Sequence, residues 1–544
     1  IMNRETEQHF ANIPDITISR SKLVRPYTLW DTMNAADLVP IYVDSDIMPG
    51  DTVKMQMSSV IRMMTPLVPV MDNCYADITF FFVPHRLVWD HWENFWGQND
   101  TAPWIQQVEY TTPMIKAPAT TGWEEKSLAD KLGYPLNAPE VEVSALPLRA
   151  YCKIYNDFWR DENWKNPVNF TTGDDTVIGT NPSDYTDENP YDYVTDTETA
   201  AMCLKAAKPH DYFTSVLPSA QKGPEVYIPL GESAPVWGQA TEIGVTEESL
   251  VGKNLTLYMN EHSQFGITAG ADQNLTAAHT IGLYTDLSNA VGATIGQLRQ
   301  AYSIQRFYEA LARGGSRYIE MIRSIYGVTN PDFRLQRAEY LGGFRLPINV
   351  NQVLQSDAGA SDATPLGHTG AYSLTADARD DVFTHSFTEH GTLMGLITIR
   401  HEHSYGQGCP RMFTRKKIFD YYTPQLANLS EQAVLAKEIY CDGTSDDENA
   451  WGYQEAWAEY RYFPNQVHGE IRASYAQSLS VWTYQDYYEE RPTMGDKWID
   501  ESDVEIQNTL AVQNHDQFFA NYYFKPIYIR PMPVYSVPGL TGHM

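Results

Sequence analysis

The sequence is short of most features that announce a chemistry. It holds five cysteines, Cys74, Cys152, Cys203, Cys409 and Cys441, odd in number, widely scattered and never spaced as CxxC. That argues against a disulfide framework and predicts buried, reduced thiols in a cytosolic protein. No stretch approaches the roughly 20 apolar residues of a membrane span, and no basic-then-apolar leader opens the chain, so a soluble, unexported protein without membrane insertion is expected. Positive charge is scarce: 39 Lys and Arg stand against 69 Asp and Glu, a net charge of −30. The mean field therefore repels nucleic acid and anionic lipid, and any contact with DNA must be local. A GxSxG elbow, a Walker loop, a GxGxxG turn and HExxH are all missing.

What is present is bulk and aromatic surface. At 544 residues, with 43% hydrophobic residues, 35 Tyr and 13 Trp, the chain is either several domains or one domain with long insertions. Residues 51–64, DTVKMQMSSVIRMM, put Val53, Met55, Met57, Ile61 and Met63 on one face and Lys54, Gln56, Ser58 and Arg62 on the other, the pattern of a half-buried strand. CYADITFFFV (74–83) repeats it, with Cys74, Ala76, Ile78, Phe80 and Phe82 on one side. Further strands are predicted within 391–405 and 517–530. With its strongest strands at the two ends, the chain fits a Greek-key or jelly-roll sandwich with enlarged loops better than a string of domains.

The middle of the chain holds the helices. Residues 294–312 have apolar side chains on two faces, Ile295, Leu298 and Tyr302, then Ile304, Phe307 and Leu311, which predicts burial on both sides. Gly314-Gly315 stops that helix, and 316–326 follows with Tyr318, Met321, Ile322 and Ile325 on one stripe before Gly327. Two segments read as exposed loops: 171–199, with eight acidic residues and no Lys or Arg, and 236–292, whose only Lys or Arg is Lys253. The Pro-rich end, 526–544, is expected as an extended arm.

The stretch HEHSYGQGC (401–409) raises the question of a metal. On a strand His401 and His403 point the same way and can supply two zinc ligands. Glu402 faces the opposite side and Cys409 lies beyond a Gly-Gln-Gly turn, so no third ligand offers itself and no metal site is expected. The acidic pairs Glu124-Glu125, Asp446-Asp447 and Glu489-Glu490 do not set two carboxylates across one bond, which weakens the alternative of a sugar-binding or sugar-hydrolysing sandwich. Basic residues gather in three places: Arg20, Lys22 and Arg25; eight Arg from Arg299 to Arg345; and Arg411, Arg415, Lys416 and Lys417. TRKKIFDYY mixes cations with aromatics, a combination that can hold single-stranded nucleic acid; salt bridges to acidic neighbours explain it equally well.

Several long runs together resemble one family: NIPDITISRSKLVRPYTLWDTMNAADLVPIYVDSDIMPGD (12–51), KPHDYFTSVLPSAQKGP (208–224), ARGGSRYIEMIRSIYGVTNPDFRLQRAEYLGG (312–343), FTEHGTLMGLITIR (387–400) and AEYRYFPNQVHG (458–469). They are similar to the major capsid protein of microviruses, especially the gokushovirus-like branch of single-stranded DNA bacteriophages. The resemblance implies a mainly β protein, a single eight-stranded jelly-roll β-sandwich with long, partly helical insertions. It further implies sixty copies in an icosahedral virion shell around a circular single-stranded DNA genome, assembled in the bacterial cytoplasm. No catalytic residue and no cofactor are implied. The implied partners are a small basic DNA-binding protein, a pilot protein, an internal scaffolding protein and a host cell-surface receptor. Segment 236–292 matches the insertion that builds threefold protrusions in the family, with Thr241, Glu247, Asn254, Tyr258, Asn260 and Gln264 as candidate host contacts. The basic residues Arg20, Lys22, Arg25, Arg411, Arg415, Lys416 and Lys417 are the candidate DNA contacts. The acidic excursion at 171–199 departs from the family, which leaves the host range open.

Overall fold

The alternation at 51–64 is realised in the computed structural model as a strand, Thr52–Met63. Its Val53, Met55, Met57, Ile61 and Met63 are buried, as is Ser59 on the same face, while Val60 and Arg62 reach the surface. The structure describes residues 19–98, 110–224, 226, 295–315, 317–349 and 375–535, with the backbone of short strands at 236–238, 256–259, 265–268, 283–285, 352–354 and 369–372.

The architecture is carried by β1 (Ser21–Val24), β2 (Tyr27–Met33), β3 (Val39–Ile47), β4 (Thr52–Met63), β5 (Cys74–Pro84), β6 (Glu339–Ile348), β7 (Thr375–Ser386), β8 (Gly391–His401), β9 (Phe518–Phe524) and β10 (Ile527–Arg530). They make two antiparallel sheets. In the first, β4 pairs with β7 on one edge and with β9 and β10 in succession on the other; β2 and β1 then pair with β9 and β10. The second has the order β6-β5-β8-β3. Arg25-Pro26 breaks the β1–β2 line and Lys525-Pro526 the adjacent β9–β10 line at the same level, because proline has no N–H to give the ladder; Arg25 N–H still donates to the Pro526 carbonyl at 3.2 Å.

Inward side chains of both sheets share one core. Met55, Met57, Ile61, Phe518 and Tyr522 of the first sheet pack with Ile78, Phe80, Phe82, Ile397 and Ile399 of the second, the arrangement of a β-sandwich. Each such side chain contributes about 1.5–3 kcal/mol on burial. The second sheet is also covered on its outer face. Phe81, Val83, Met394 and Leu396 pack there against α1 (Leu146–Ile154), Trp89 and Trp123. The Tyr151 hydroxyl pins α1 to the sheet, donating to the Leu38 carbonyl at 2.7 Å and accepting from Leu204 N–H at 3.0 Å. Gly395 sits where β8 meets its neighbours most closely: a Cβ there would lie 2.7 Å from the Phe80 ring.

A third apolar cluster lies mostly in the segment after β8, where Tyr405, Val434, Ile439, Trp451 and Trp498 pack with Tyr212, Phe213 and Val216. By compactness the chain divides into two units, 1–220 with 312–544, and 221–311. Within the second, Thr256–Met259 pairs with Phe265–Thr268 and Val236–Gly238 with Leu283–Thr285, both antiparallel.

Several expectations need correction. The segment expected as a C-terminal arm begins with β10, a strand between β1 and β4. Pro526 and Pro531 flank Ile527–Arg530 without entering it, so each of its four N–H groups is intact for pairing. Residues 536–544 lie outside the described ones. The helix α2 (Ile295–Arg313) forms, but Tyr302, Ile304 and Phe307 are exposed rather than buried. α3 (Tyr318–Tyr326) ends at Gly327 in the left-handed region, φ 69°, as its sequence predicts. All five cysteines are free, yet only Cys74 and Cys152 are buried; Cys203 and Cys409 are half-buried and Cys441 is exposed. The acidic segment 171–199 is pinned in places: Val177–Ile178 pairs with Met114–Lys116, and Asn181 and Thr197 are buried.

Candidate nucleic-acid interface

The first basic cluster stands on the outer face of the first sheet. Lys22 of β1 is opposite Ile529 of β10, and both side chains point away from the core because alternate residues of a strand share a face. Lys54 and Arg62 of β4, Trp30 of β2, and Phe519 and Tyr523 of β9 share that face through the register Phe519 to Arg62, Tyr523 to Ser58 and Trp30 to Asn521. Trp30 is 76% exposed, Tyr523 43% and Phe519 38%. Cations interleaved with open aromatic rings are what holds a single strand through phosphate contacts and base stacking. Arg20 is exposed. Arg25 is committed elsewhere: its guanidinium bonds Asp44 at 3.0 Å and lies over the Tyr528 ring at 5.4 Å. The sequence reading missed Trp30, Phe519 and Tyr523; Lys54 and Arg62 were already assigned to the polar face.

The second cluster splits in the same way. Arg411 donates to the Ala433 carbonyl at 3.0 Å. Arg415 pairs with Glu459 at 3.1 Å and stacks over Tyr460 at 4.4 Å, with its side chain 10% exposed. Lys416 and Lys417 are exposed, and their backbone N–H groups hold Asp420 Oδ2 at 2.8 and 2.7 Å, which lowers the pKa of that carboxyl. Around them Met412, Phe413, Ile418, Phe419, Tyr421 and Phe463 form an open apolar surface, with Phe413 71%, Ile418 74%, Phe419 74% and Phe463 67% exposed.

Among the eight arginines from 299 to 345 several are paired with acidic side chains, Arg313 and Arg345 while still exposed. Arg313 pairs with Glu431 at 2.8 Å, Arg317 with Glu162 at 2.7 Å and Arg345 with Asp77 at 2.6 Å; Arg299, Arg306, Arg323 and Arg334 are exposed. Asp447, expected as solvated surface, is buried against Arg491 at 2.6 Å. The stretch 401–409 is a strand end followed by a turn, with Cys409 N–H bonded to the Lys437 carbonyl at 2.8 Å. His401 and His403 are both buried, and Glu501, remote in sequence, comes to them.

Of the candidate host contacts, Tyr258 lies on the strand Thr256–Met259, opposite Gly266. Thr241, Glu247, Asn254, Asn260 and Gln264 fall outside the described residues. No helix among the described residues is long and apolar enough to cross a membrane.

Comparison with known proteins gives a consistent answer. The profile of a family described as capsid protein (F protein) matches residues 11–540. Three similar proteins each bear the name Capsid protein VP1. That of Bdellovibrio phage phiMH2K is 38% identical over 559 residues, covering 99% of both chains. That of Spiroplasma virus 4 is 35% identical over 539 residues, covering 96% of both. That of Chlamydia phage 1 is 34% identical over 596 residues, covering 98% of both.

Proposed function

This chain belongs to the capsid protein (F protein) family, and on that premise we propose that sixty copies close into an icosahedral shell around a circular single-stranded DNA genome. It is a structural protein of a bacteriophage virion and not an enzyme. Taking β1 with β2, and β9 with β10, as two interrupted strands gives eight. Their distribution between two sheets, four in each, with successive strands crossing from one sheet to the other except from β5 to β6, supports the reading of an eight-stranded jelly roll.

The observation that carries the assembly reading is the apolar surface from Met412 to Tyr422 with Tyr462 and Phe463. A monomer in water rarely presents so many large side chains together, and neighbouring copies in a shell would cover them. The aromatic and cationic outer face of the first sheet, with Lys22 and Arg62 exposed on it, and the exposed Arg20, Lys416 and Lys417 outside that sheet support a local contact with the genome despite the net charge of −30. Segment 236–292 is assigned to host attachment at the threefold axes. A small basic DNA-binding protein, a pilot protein and a scaffolding protein, acting in the bacterial cytoplasm, complete the assembly.

The test is coexpression with the scaffolding protein, followed by electron microscopy. Wild-type chain is expected to yield closed particles. Phe419→Asp and Phe463→Asp should abolish them while circular dichroism stays that of the folded chain. Particles at wild-type yield from both variants would refute the assignment of this surface.

A further inference from the structure

The end of β8 brings together two imidazoles and a carboxylate that the sequence holds far apart. His401 and His403, two residues apart on the strand, present their rings on one side with centroids 4.4 Å apart. Glu501 reaches them because its own N–H bonds the Ala206 carbonyl at 2.8 Å, while Lys208 N–H bonds the Ile499 carbonyl at 2.9 Å, fixing 499–501 beside 206–208. All three side chains are within 1% of complete burial.

Their polar atoms are close but poorly satisfied. His401 Nδ1 lies 2.8 Å from Glu501 Oε1, within ion-pair reach but not aligned as a regular hydrogen bond, and His401 Nε2 has no hydrogen-bond partner. His403 Nε2 lies 3.3 Å from Glu501 Oε2, and His403 Nδ1 lies 2.7 Å from Asp486 Oδ1. A buried ring nitrogen or carboxylate oxygen left unbonded carries its full desolvation penalty, so such a group calls for a partner. A tetrahedral cation with bonds of about 2.0–2.1 Å sets neighbouring ligand atoms about 3.3–3.4 Å apart; one ligand atom from each of the three residues lies within 4.8 Å of the others, and His403 Nε2 to Glu501 Oε2 is already at 3.3 Å. Asp486 supplies the outer support: it fixes the proton on His403 Nδ1, turning the Nε2 lone pair toward Glu501, and is itself held by the Tyr488 hydroxyl at 2.7 Å and Lys208 Nζ at 3.6 Å.

We propose that His401, His403 and Glu501 bind one zinc-class divalent cation, a buried site that ties the end of β8 to the segment around 484–501, with the second Glu501 oxygen or a water in the fourth position. Two imidazoles select a borderline transition metal over calcium or magnesium, which take oxygen ligands. With all three side chains buried, the site is assigned as a clamp rather than a catalytic centre. The competing arrangement is a metal-free cluster in which His403 is an imidazolium. Burial opposes that charge, but Asp486 and Glu501 together raise the pKa of His403 to about 10. This arrangement satisfies His403, leaves His401 Nδ1 and Glu501 Oε1 as a poorly aligned pair, and leaves His401 Nε2 with no partner.

The experiment uses the full-length chain, independent of whether it assembles. Elemental analysis after gel filtration in metal-free buffer should find about one zinc per chain. Chelation during mild denaturation should lower Tm by several degrees, and added zinc should restore it. Wild-type chain loaded with Co²⁺ should show visible ligand-field absorption, a readout that does not depend on any variant folding. H401Q and E501Q should lose the metal, whereas H468Q, at an exposed histidine, should keep it. Zinc below a tenth of an equivalent with no cobalt spectrum and no response of Tm to chelation would overturn the site. So would loss of zinc from H468Q, which would put the ion on the surface.

Discussion

The two sheets of the sandwich share a core but differ on their outer faces. In the second sheet β5 and β8 are buried almost throughout on both sides, because the chain folds α1, Trp89 and Trp123 over Phe81, Val83, Met394 and Leu396. Among the described residues the first sheet has no such cover over Trp30, Tyr523 and Phe519, which stay open beside Lys22 and Arg62. Packing the core requires only the inner faces. Covering one outer face from within while leaving the other open assigns that open face to something outside the chain, which in a capsid is a neighbouring copy or the genome.

The sharpest break in the comparison is one aromatic residue on each side of it. Phe80 is fully buried between the sheets, so Phe80→Ala should lower unfolding free energy by about 3–5 kcal/mol. Trp30→Ala, on the open face, should change it by no more than about 0.5 kcal/mol. Urea midpoints of the two variants check this, and equal losses would mean that Trp30 is covered within the chain.

A smaller effect is expected from the covered side through His85, which follows β5 and is buried. Its Nε2 lies 3.2 Å from Thr392 Oγ1 and its ring meets Trp92 edge to face. Burial, helped by the neighbouring His390, lowers its pKa to about 4. The folded chain therefore refuses a proton that the unfolded chain accepts below about 6.5. The stability contributed by neutral His85 is complete above pH 6.5 and is lost as pH falls toward 4, a loss of about 3 kcal/mol at most. Denaturation of wild type against His85→Gln across pH 4–7 should show the steeper decline in wild type, and parallel curves would remove the effect.

How much of this was readable beforehand follows from the physics of each signal. β4 was legible residue by residue because one of its faces meets water, so polarity alternates. β5 was assigned one buried face, yet Phe81 and Val83 show two; a run of apolar residues does not say what lies over its second side. The ion pairs of Arg415 with Glu459 and Arg345 with Asp77 cross 44 and 268 positions, beyond any local pattern. The same distance hid Glu501 from His401 and His403. Spacing within HEHSYGQGC could rule Glu402 out but could not bring Glu501 in.

The open face can be sharpened by DNA binding, where the remaining effects are smaller. Base stacking on one ring is worth about 1–3 kcal/mol, so Trp30→Ala should weaken binding of a single-stranded oligonucleotide roughly tenfold or more at fixed salt. Lys416 and Lys417 act differently, as exposed charges whose contacts with phosphate release counterions. Neutralising both to Gln should barely change affinity at high salt, and should reduce the slope of log affinity against log salt by about 1.4, or about 0.7 per phosphate contact. Arg415→Gln should leave that slope as it is, because its guanidinium is already held by Glu459 and Tyr460. Fluorescence anisotropy across a salt series separates the three. If Arg415→Gln alone lowered the slope, its pairing with Glu459 would be yielding to phosphate, and the division between internal struts and exposed cations would fail where the sequence had grouped them.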